Sequence, residues 1–322
     1  MGPRNTRLGI QAEPVNILFL SQIETPDRWI PGLSRLLPQD RFFTPDQFDP
    51  EAIDVVLVAK PQPGIIGRLT NVKLVQSLFM GVDGLLADPA FPRGKPLSRL
   101  IDPGMIAAMV ESVCAHVLDY HRHHYYYREQ QAAGRWHRLP QFMASDRTIG
   151  ILGMGELGTA VAGRLLPFGF KVAGWKRRPS QLAGVDCYSG SAGLSEVLAR
   201  SQAIVCLLPL TAETRGVLNA AAFGQMPKGS CIINVARGPH IVVPDLIGAL
   251  DSGHLAHAYL DVFDKEPLPA DSPLWKHPGV TVTPHTAALT EPRTAMVPVV
   301  ENIERIRAGE TPHNLVDFGA GY

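Results

Sequence analysis

Short apolar runs alternate with amphipathic segments along the first hundred residues of the chain. Val15–Leu20, Asp54–Ala59 and Lys73–Phe79 have the length and composition of buried strands, and Arg28–Leu37 has the spacing of a helix between the first two. This alternation predicts a small parallel sheet with helices on its faces.

A second alternating series begins after Asp146. It predicts six further strands with helices between them in a doubly wound order, and a last helix that returns towards the first half of the chain. The predicted strands are Thr148–Leu152, Lys171–Trp175, Ala203–Leu208, Cys231–Val235, His257–Val262 and Val280–Thr283, and the predicted helices are Glu156–Phe168, Gly193–Arg200, Pro244–Ser252 and Pro292–Ala308. The chain is therefore expected to be an α/β protein, with a Rossmann-type doubly wound sheet of about six strands beside a smaller α/β unit.

A long helical pattern without proline runs from Gly104 to about Gly134 and is rich in histidine and tyrosine. Its His121–Tyr127 cluster has no matching set of ligands elsewhere in the chain, so no metal site is predicted. We expect this helix to lie at an interdomain or dimer surface.

Composition narrows the class of protein. The 322 residues include 30 basic and 30 acidic side chains, so the formal net charge is zero and gives no general attraction to nucleic acid or anionic membrane. No apolar run has the length of a transmembrane helix, and the polar N-terminus lacks the apolar core of a secretory signal. The four scattered cysteines predict reduced thiols in a cytoplasmic protein.

The strand Thr148–Leu152 leads into a glycine-rich loop of the form Gly-x-Gly-x-x-Gly, which a helix follows. This context predicts a dinucleotide site, because the turn, the close approach of backbone to pyrophosphate and the packing of helix on strand each require glycine. The predicted cofactor residues of this loop are Gly153, Gly155, Glu156, Leu157 and Gly158.

The end of the next strand indicates which dinucleotide binds. An acidic residue there would bond the ribose 2′-hydroxyl of NAD, but this strand ends in Trp175, Lys176, Arg177 and Arg178. Guanidinium groups bind a 2′-phosphate well, so NADPH is expected and NADH is less favoured. The alternative interpretation is a solvated basic loop.

Three charged side chains, Arg237, Glu266 and His285, each follow a predicted strand. Ligands lie beyond the carboxyl ends of the strands in open α/β sheets, so the three are expected to converge on one crevice. There, arginine would hold a carboxylate, histidine would exchange a proton, and the glutamate would orient the imidazole. Taken singly, each could also be an ordinary surface ion pair, turn residue or loop residue.

The chain resembles the D-2-hydroxyacid dehydrogenase family, and within it most of all the bacterial glyoxylate/hydroxypyruvate reductase A group. The resemblance runs from about Ile17 to Tyr322 and is densest over 147–288. Its carriers are GILGMGELG, LLPLTAETRGVLN, INVARGPHIVVPDLIGALDSGHL and LDVFDKEPLPADSPLWKHPGVTVTPHTAALT, with the C-terminal Gly-Tyr.

The resemblance implies a role for each of several residues. His285 would be the general acid paired with Glu266, and Arg237 would bind the 2-oxo acid. Further cofactor contacts would come from Pro209, Thr214, Ala236 and Asp261, the last beside the nicotinamide carboxamide. Main-chain amides of Met80, Gly81 and Val82 would bind the substrate carboxylate, although the preceding Phe79 and Met80 itself are bulkier than is usual in the family.

The implied organisation is a flavodoxin-like substrate domain of residues 15–112 and 290–322 with the dinucleotide-binding domain, 113–289, inserted in it. The implied activity is NADPH-dependent reduction of glyoxylate to glycolate and of hydroxypyruvate to glycerate, by a homodimer. Two alternatives remain at this point: a dehydrogenase for a larger 2-oxo acid such as phenylpyruvate, and a dinucleotide-sensing binding protein, because fold alone does not fix function.

Overall fold

The computed structural model describes residues 13–321 and divides them into two compact units. The first unit contains the described residues up to Pro103 and those from Thr290 onward, and the second contains Gly104–Leu289. The predicted boundary at residue 112 falls inside the helix Pro103–His121, which buries Val113 and Val117 in a core cluster of the second unit. The predictions for residues 1–12 and for Tyr322 lie outside the described residues.

The first unit is built on a five-stranded sheet in which every neighbouring pair is parallel. Its order is β2-β1-β3-β4-β5, the flavodoxin-like arrangement expected for this part of the chain. The strands are β1 (Asn16–Ser21), β2 (Arg41–Phe43), β3 (Val55–Ala59), β4 (Leu74–Ser77) and β5 (Leu97–Ser98). The central strands are buried along their whole length, which explains their continuous apolar runs.

The C-terminal helix Pro292–Arg307 completes this first unit. Its buried Asn302 donates to the Gln76 side chain at 2.8 Å and to the Ser98 hydroxyl at 3.0 Å, so the polar groups of β4 and β5 are satisfied by the far end of the chain. The C-terminal helix packs against the helix Pro26–Leu36, where a Cβ atom at Gly32 would stand 2.5 Å from the Met296 sulfur, so any larger residue there would require that methionine side chain to shift.

The second unit is built on a seven-stranded parallel sheet of order β12-β11-β10-β9-β6-β7-β8. The chain runs from β6 outward to β8 and then returns to the other side of β6, which makes the carboxyl ends of β6 and β9 the switch point where ligands bind in doubly wound folds. The strands are β6 (Thr148–Leu152), β7 (Lys171–Trp175), β8 (Val185–Tyr188), β9 (Ala203–Cys206), β10 (Ser230–Asn234), β11 (Leu255–Leu260) and β12 (Val280–Val282).

The remaining helices cover these sheets. The prediction of one long helix over 104–134 was wrong, because two helices form there. The chain leaves helical geometry at His123, whose φ is 59°, so this segment is two helices rather than one. The helices are Asp83–Leu86, Pro103–His121, His124–Ala132, Glu156–Leu165, Gly190–Arg200, Ala220–Gln225 and Val243–Asp251.

A polar network in the second unit, exposed on its Arg128 side, uses residues of the predicted His/Tyr-rich helix. Asp119 accepts two hydrogen bonds from Arg128, at 2.6 and 3.0 Å, and one from the Tyr259 hydroxyl at 2.6 Å. The Arg128 and Tyr259 bonds hold the pKa of Asp119 below its ordinary value although burial opposes them. The network therefore joins this helical segment to β11.

His257 on β11 belongs to the same region and is 3% exposed. Burial lowers the pKa of His257 to about 4, because the charged ring would lose its hydration. The unfolded chain binds a proton near pH 6.5, so this residue stabilises the fold fully above that pH, and the contribution of about 3 kcal/mol is lost as the pH falls from 6.5 to 4.

We therefore expect urea unfolding at pH 5 to show a lower free energy of unfolding than at pH 7, and His257→Leu to reduce that difference. Thr281→Val removes the 2.8 Å hydrogen bond of the His257 ring but keeps the titrating group, so it should retain the pH dependence. An unchanged pH dependence in His257→Leu would contradict this account.

Within residues 13–321, the structure contains no helix that is both long and apolar enough to cross a membrane.

Candidate functional site

The glycine-rich loop lies between β6 and the helix Glu156–Leu165, as the sequence predicts. A Cβ atom at Gly158 would stand 2.1 Å from the carbonyl oxygen of Gly153, so helix and strand meet here only with glycine. At Gly155, directly before the helix, a Cβ atom would meet nothing within 4 Å. The space beside this helix N-terminus is therefore open, and a dinucleotide pyrophosphate fits its main-chain donors and dipole.

The basic segment at the end of β7 occupies the position of the acidic residue in NAD-binding sites. The Trp175 indole donates to the Gly190 carbonyl at 2.8 Å and is half-buried, which anchors the start of the segment. Lys176 is half-buried, whereas Arg177 and Arg178 are exposed. The segment thus presents guanidinium groups and no carboxylate.

The loop after β9 is held by Thr214, whose hydroxyl donates to the Pro209 carbonyl at 2.7 Å. The pKa of Glu213 in this loop lies below its ordinary value, first because Thr211 donates to it and also because the Arg177 cation is nearby. The loop therefore lies close to the basic segment of β7. That Pro209 and Thr214 border the dinucleotide remains a prediction.

His285 and Glu266 form a hydrogen-bonded pair beyond the ends of β12 and β11. The imidazole Nδ1 lies 2.7 Å from Glu266 Oε2, while Glu266 Oε1 accepts from the Phe263 amide at 2.9 Å. The glutamate is thereby fixed by its own loop and fixes the imidazole in turn. With Nδ1 engaged, Nε2 is the ring nitrogen that is left to exchange a proton with a ligand.

Asp261, which is 2% exposed, organises the loop that carries His285. Its carboxylate accepts from the Thr283 hydroxyl at 2.6 Å and from the amides of Thr286 and Ala287 at 2.8 and 3.0 Å. The His285 amide donates to the Asp261 carbonyl at 2.8 Å, and His285 has a φ of 55°. Left-handed backbone is unfavourable for a histidine, and the hydrogen bonds to Asp261 hold His285 in this conformation. A contact of Asp261 with the nicotinamide carboxamide remains a prediction.

Arg237 lies beyond the end of β10, and β10, β11 and β12 are successive neighbours in the sheet. The side chain is half-buried and donates to the Ala236 carbonyl at 2.7 Å. A Cβ atom at Gly238 would stand 1.9 Å from the carbonyl carbon of Phe263, so the arginine loop and the Glu266 loop touch through their backbones. Arg237, Glu266 and His285 therefore follow three neighbouring strands at the carboxyl-terminal end of the sheet, and their convergence on one substrate remains a prediction.

The predicted substrate loop belongs to the first unit, where it connects β4 to the short helix Asp83–Leu86. Met80 is half-buried, Gly81 is exposed and Val82 is buried. Among the described residues, none accepts a hydrogen bond from the amides of these three positions. Main-chain amides without an internal acceptor can bind an anion, and a carboxylate site at these three positions remains a prediction.

Two features of the site escaped sequence reasoning. The hydrogen bonds of Asp261 depend on a backbone conformation that no local pattern encodes, although an aspartate directly after a buried strand was a signal. His240 is fully buried beneath the Arg237 loop, and its position two residues after Gly238 gave no indication of this.

Comparison with known proteins identifies the family. Residues 114–287 match the family described as D-isomer specific 2-hydroxyacid dehydrogenase, NAD binding domain. The glyoxylate/hydroxypyruvate reductase A proteins of Serratia proteamaculans and Yersinia enterocolitica are each 40% identical over 313 residues, which cover 96% of this chain and 100% of the relative.

Solved structures agree with this result. A D-isomer specific 2-hydroxyacid dehydrogenase from Xanthobacter autotrophicus, crystallised with NADPH and MES, is 42% identical, covers 96% of this chain and all of its own, and superposes with a TM-score of 0.92. The NADPH-dependent glyoxylate/hydroxypyruvate reductase of Sinorhizobium meliloti, crystallised with NADP and sulfate, is 36% identical with the same coverage and a TM-score of 0.89. The chain, with its glycine-rich loop and its His–Glu pair, therefore belongs to the D-isomer specific 2-hydroxyacid dehydrogenase family.

Proposed function

We propose that this protein reduces small 2-oxo acids with NADPH, converting glyoxylate to glycolate and hydroxypyruvate to glycerate. The observation that carries the proposal is the 2.7 Å His285–Glu266 pair on the same sheet edge as Arg237. Similarity to relatives named glyoxylate/hydroxypyruvate reductase A supports these two substrates.

The residues divide the chemistry of the reduction. NADPH supplies the hydride for the carbonyl carbon when it is bound. Arg237 holds the substrate carboxylate and polarises the carbonyl. His285 donates a proton from Nε2 to the developing alkoxide, while Glu266 stabilises the imidazolium through Nδ1. The substrate carbonyl thus gains one hydride and one proton, and the product is the 2-hydroxy acid.

A kinetic matrix tests the proposal. NADH and NADPH are each measured against glyoxylate, hydroxypyruvate and 2-oxo acids of increasing size up to phenylpyruvate. We expect the highest kcat/KM with NADPH and the two smallest acids. A preference for phenylpyruvate would assign the larger substrates, and NADPH binding without turnover of any acid would favour a dinucleotide-sensing protein.

The preference for NADPH is expected to depend on Arg177. A charge-assisted hydrogen bond is worth roughly 1.5–3 kcal/mol, so Arg177→Ala should weaken NADPH binding about tenfold or more and leave NADH binding nearly unchanged. Lys171→Ala removes an exposed cation at the opposite end of β7 and is the matched control. Equal losses for both cofactors in Arg177→Ala would show that this residue does not bind the 2′-phosphate.

The same proposal includes a cytoplasmic location and a homodimer. All four cysteines are free, and burial raises the pKa of the Cys206 thiol to about 12, which suits unreactive thiols in a reducing compartment. The segment between the helix His124–Ala132 and Ala144 exposes Trp136, Phe142 and Met143, at 91%, 43% and 66%. An exposed apolar segment of this kind favours a partner surface, and light scattering of the purified protein should give twice the mass of one chain.

A further inference from the structure

His240 is a fully buried histidine that the catalytic scheme leaves without a role. It ends the short turn Gly238–His240 directly after Arg237. Its Nδ1 lies 3.0 Å from the Arg237 carbonyl oxygen, and its Nε2 lies 3.3 Å from the Pro209 carbonyl oxygen. Both partners are carbonyl acceptors, so the ring donates to both at once only as the doubly protonated imidazolium, and it donates to one of them when it is neutral.

These two carbonyls belong to different loops of the site. Arg237 follows β10 and Pro209 follows β9, and these strands are parallel neighbours. Each carbonyl is also bound by a side chain of its own loop: Asn234 donates to the Arg237 carbonyl at 2.9 Å, and Thr214 donates to the Pro209 carbonyl at 2.7 Å. The His240 ring therefore contacts two loops, and each of these loops is also held by a hydrogen bond of its own.

We infer that His240 is a positioning residue that fixes the substrate-binding arginine loop relative to the cofactor loop at Pro209. The inference rests on the proposed function, in which Arg237 holds the 2-oxo acid and the Pro209 loop borders the dinucleotide. The ring fills a site that excludes water, so no solvent molecule substitutes for its nitrogens when they are removed. Nδ1 faces the arginine loop and Nε2 faces the cofactor loop, so each N–H that the ring carries holds one of the two loops.

Two amide substitutions separate the contact with the arginine loop from the contact with the cofactor loop. The amide nitrogen of His240→Asn reaches the position of Nδ1, and that of His240→Gln reaches the position of Nε2. His240→Leu removes both. We expect His240→Leu to lose about tenfold for each N–H bond that the ring makes: both the KM for glyoxylate and the binding of NADPH suffer when the ring is doubly protonated, and one of them when it is neutral. His240→Asn should largely restore the KM for glyoxylate, and His240→Gln should largely restore the binding of NADPH.

His254→Leu is the matched control. The His254 ring also contacts a main-chain carbonyl, that of Phe223 at 2.8 Å, but His254 lies outside both loops. It should leave both constants unchanged. Wild-type constants in all three His240 variants, or equal losses in the Asn and Gln variants, would overturn the inference, since a merely structural histidine would not separate the two ligands. If the Leu variant does not fold, the Asn and Gln variants decide alone.

Failure of the proposed function is distinguishable from failure of this inference. If the wild-type protein reduces no 2-oxo acid, the proposed function fails, whereas NADPH binding, followed by nicotinamide fluorescence, still compares His240→Asn with His240→Gln. Weaker NADPH binding in the Asn variant than in the Gln variant supports the link to Pro209, and identical binding removes it.

Discussion

Replacing His285 with alanine should lower kcat for glyoxylate reduction by about 10²–10⁴-fold, the usual contribution of a general acid. The reason is that no other group is placed by Glu266 to protonate the alkoxide. NADPH affinity should be retained, because the glycine-rich loop and the basic segment of β7 are distant in sequence and unaltered. Single-turnover kinetics and a fluorescence titration of NADPH measure the two quantities separately.

Glu266→Gln tests the pairing within the same prediction. Glutamine can still accept from Nδ1 but lacks the charge, so turnover should fall about tenfold, the difference between a charge-assisted and a neutral hydrogen bond. The exposed Glu196→Gln serves as the matched control. Near-normal turnover in His285→Ala would remove this residue from the mechanism, whereas a loss in His285→Ala with none in Glu266→Gln would remove only the partner.

Arg237→Ala should reduce kcat/KM for glyoxylate by about 10²–10³-fold, the loss measured when one preorganised donor to a developing oxyanion is removed. NADPH binding should change little. Arg237→Lys keeps the charge but not the planar fork that matches a carboxylate, so it should recover only a small part of the loss.

Arg164→Ala is the control for Arg237, because Arg164 is an exposed arginine in the last turn of the helix Glu156–Leu165. It should behave as wild type. An Arg237→Ala protein with unaltered efficiency for every 2-oxo acid would show that Arg237 does not hold the substrate carboxylate.

Much of the fold follows from local pattern. The strands Thr148–Leu152 and Lys171–Trp175 were predicted residue for residue, because an apolar run ended at a glycine turn in one case and at a run of charges in the other. The strands that escaped prediction are β2, β5 and β8, which lie at sheet edges and have three, two and four residues. Such short runs carry too little periodicity to be recognised, and their pairing is decided by the neighbouring strand.

The candidate site, like the fold, could be predicted only in part. The sequence placed Arg237, Glu266 and His285 after strands, and the parallel topology puts all three at the carboxyl-terminal end of the sheet. It could not supply the left-handed backbone at His285 or the three hydrogen bonds that Asp261 accepts, because these depend on loops that return from β11 and β12. The sequence likewise did not predict the break at His123, because histidine by itself does not end a helix.

The first unit closes through contacts between the two ends of the chain, and this bears on how the protein forms during synthesis. Asn302 satisfies Gln76 and Ser98 across as many as 226 residues of sequence. At about 5–20 residues per second, a ribosome needs roughly 10–50 s to add that length. Throughout that interval the nascent β1–β5 sheet lacks its last helix, while residues 104–289 become available to fold as a unit. Co-translational folding should therefore proceed from the middle of the chain outward, with the half-built N-terminal sheet as the species that chaperones meet.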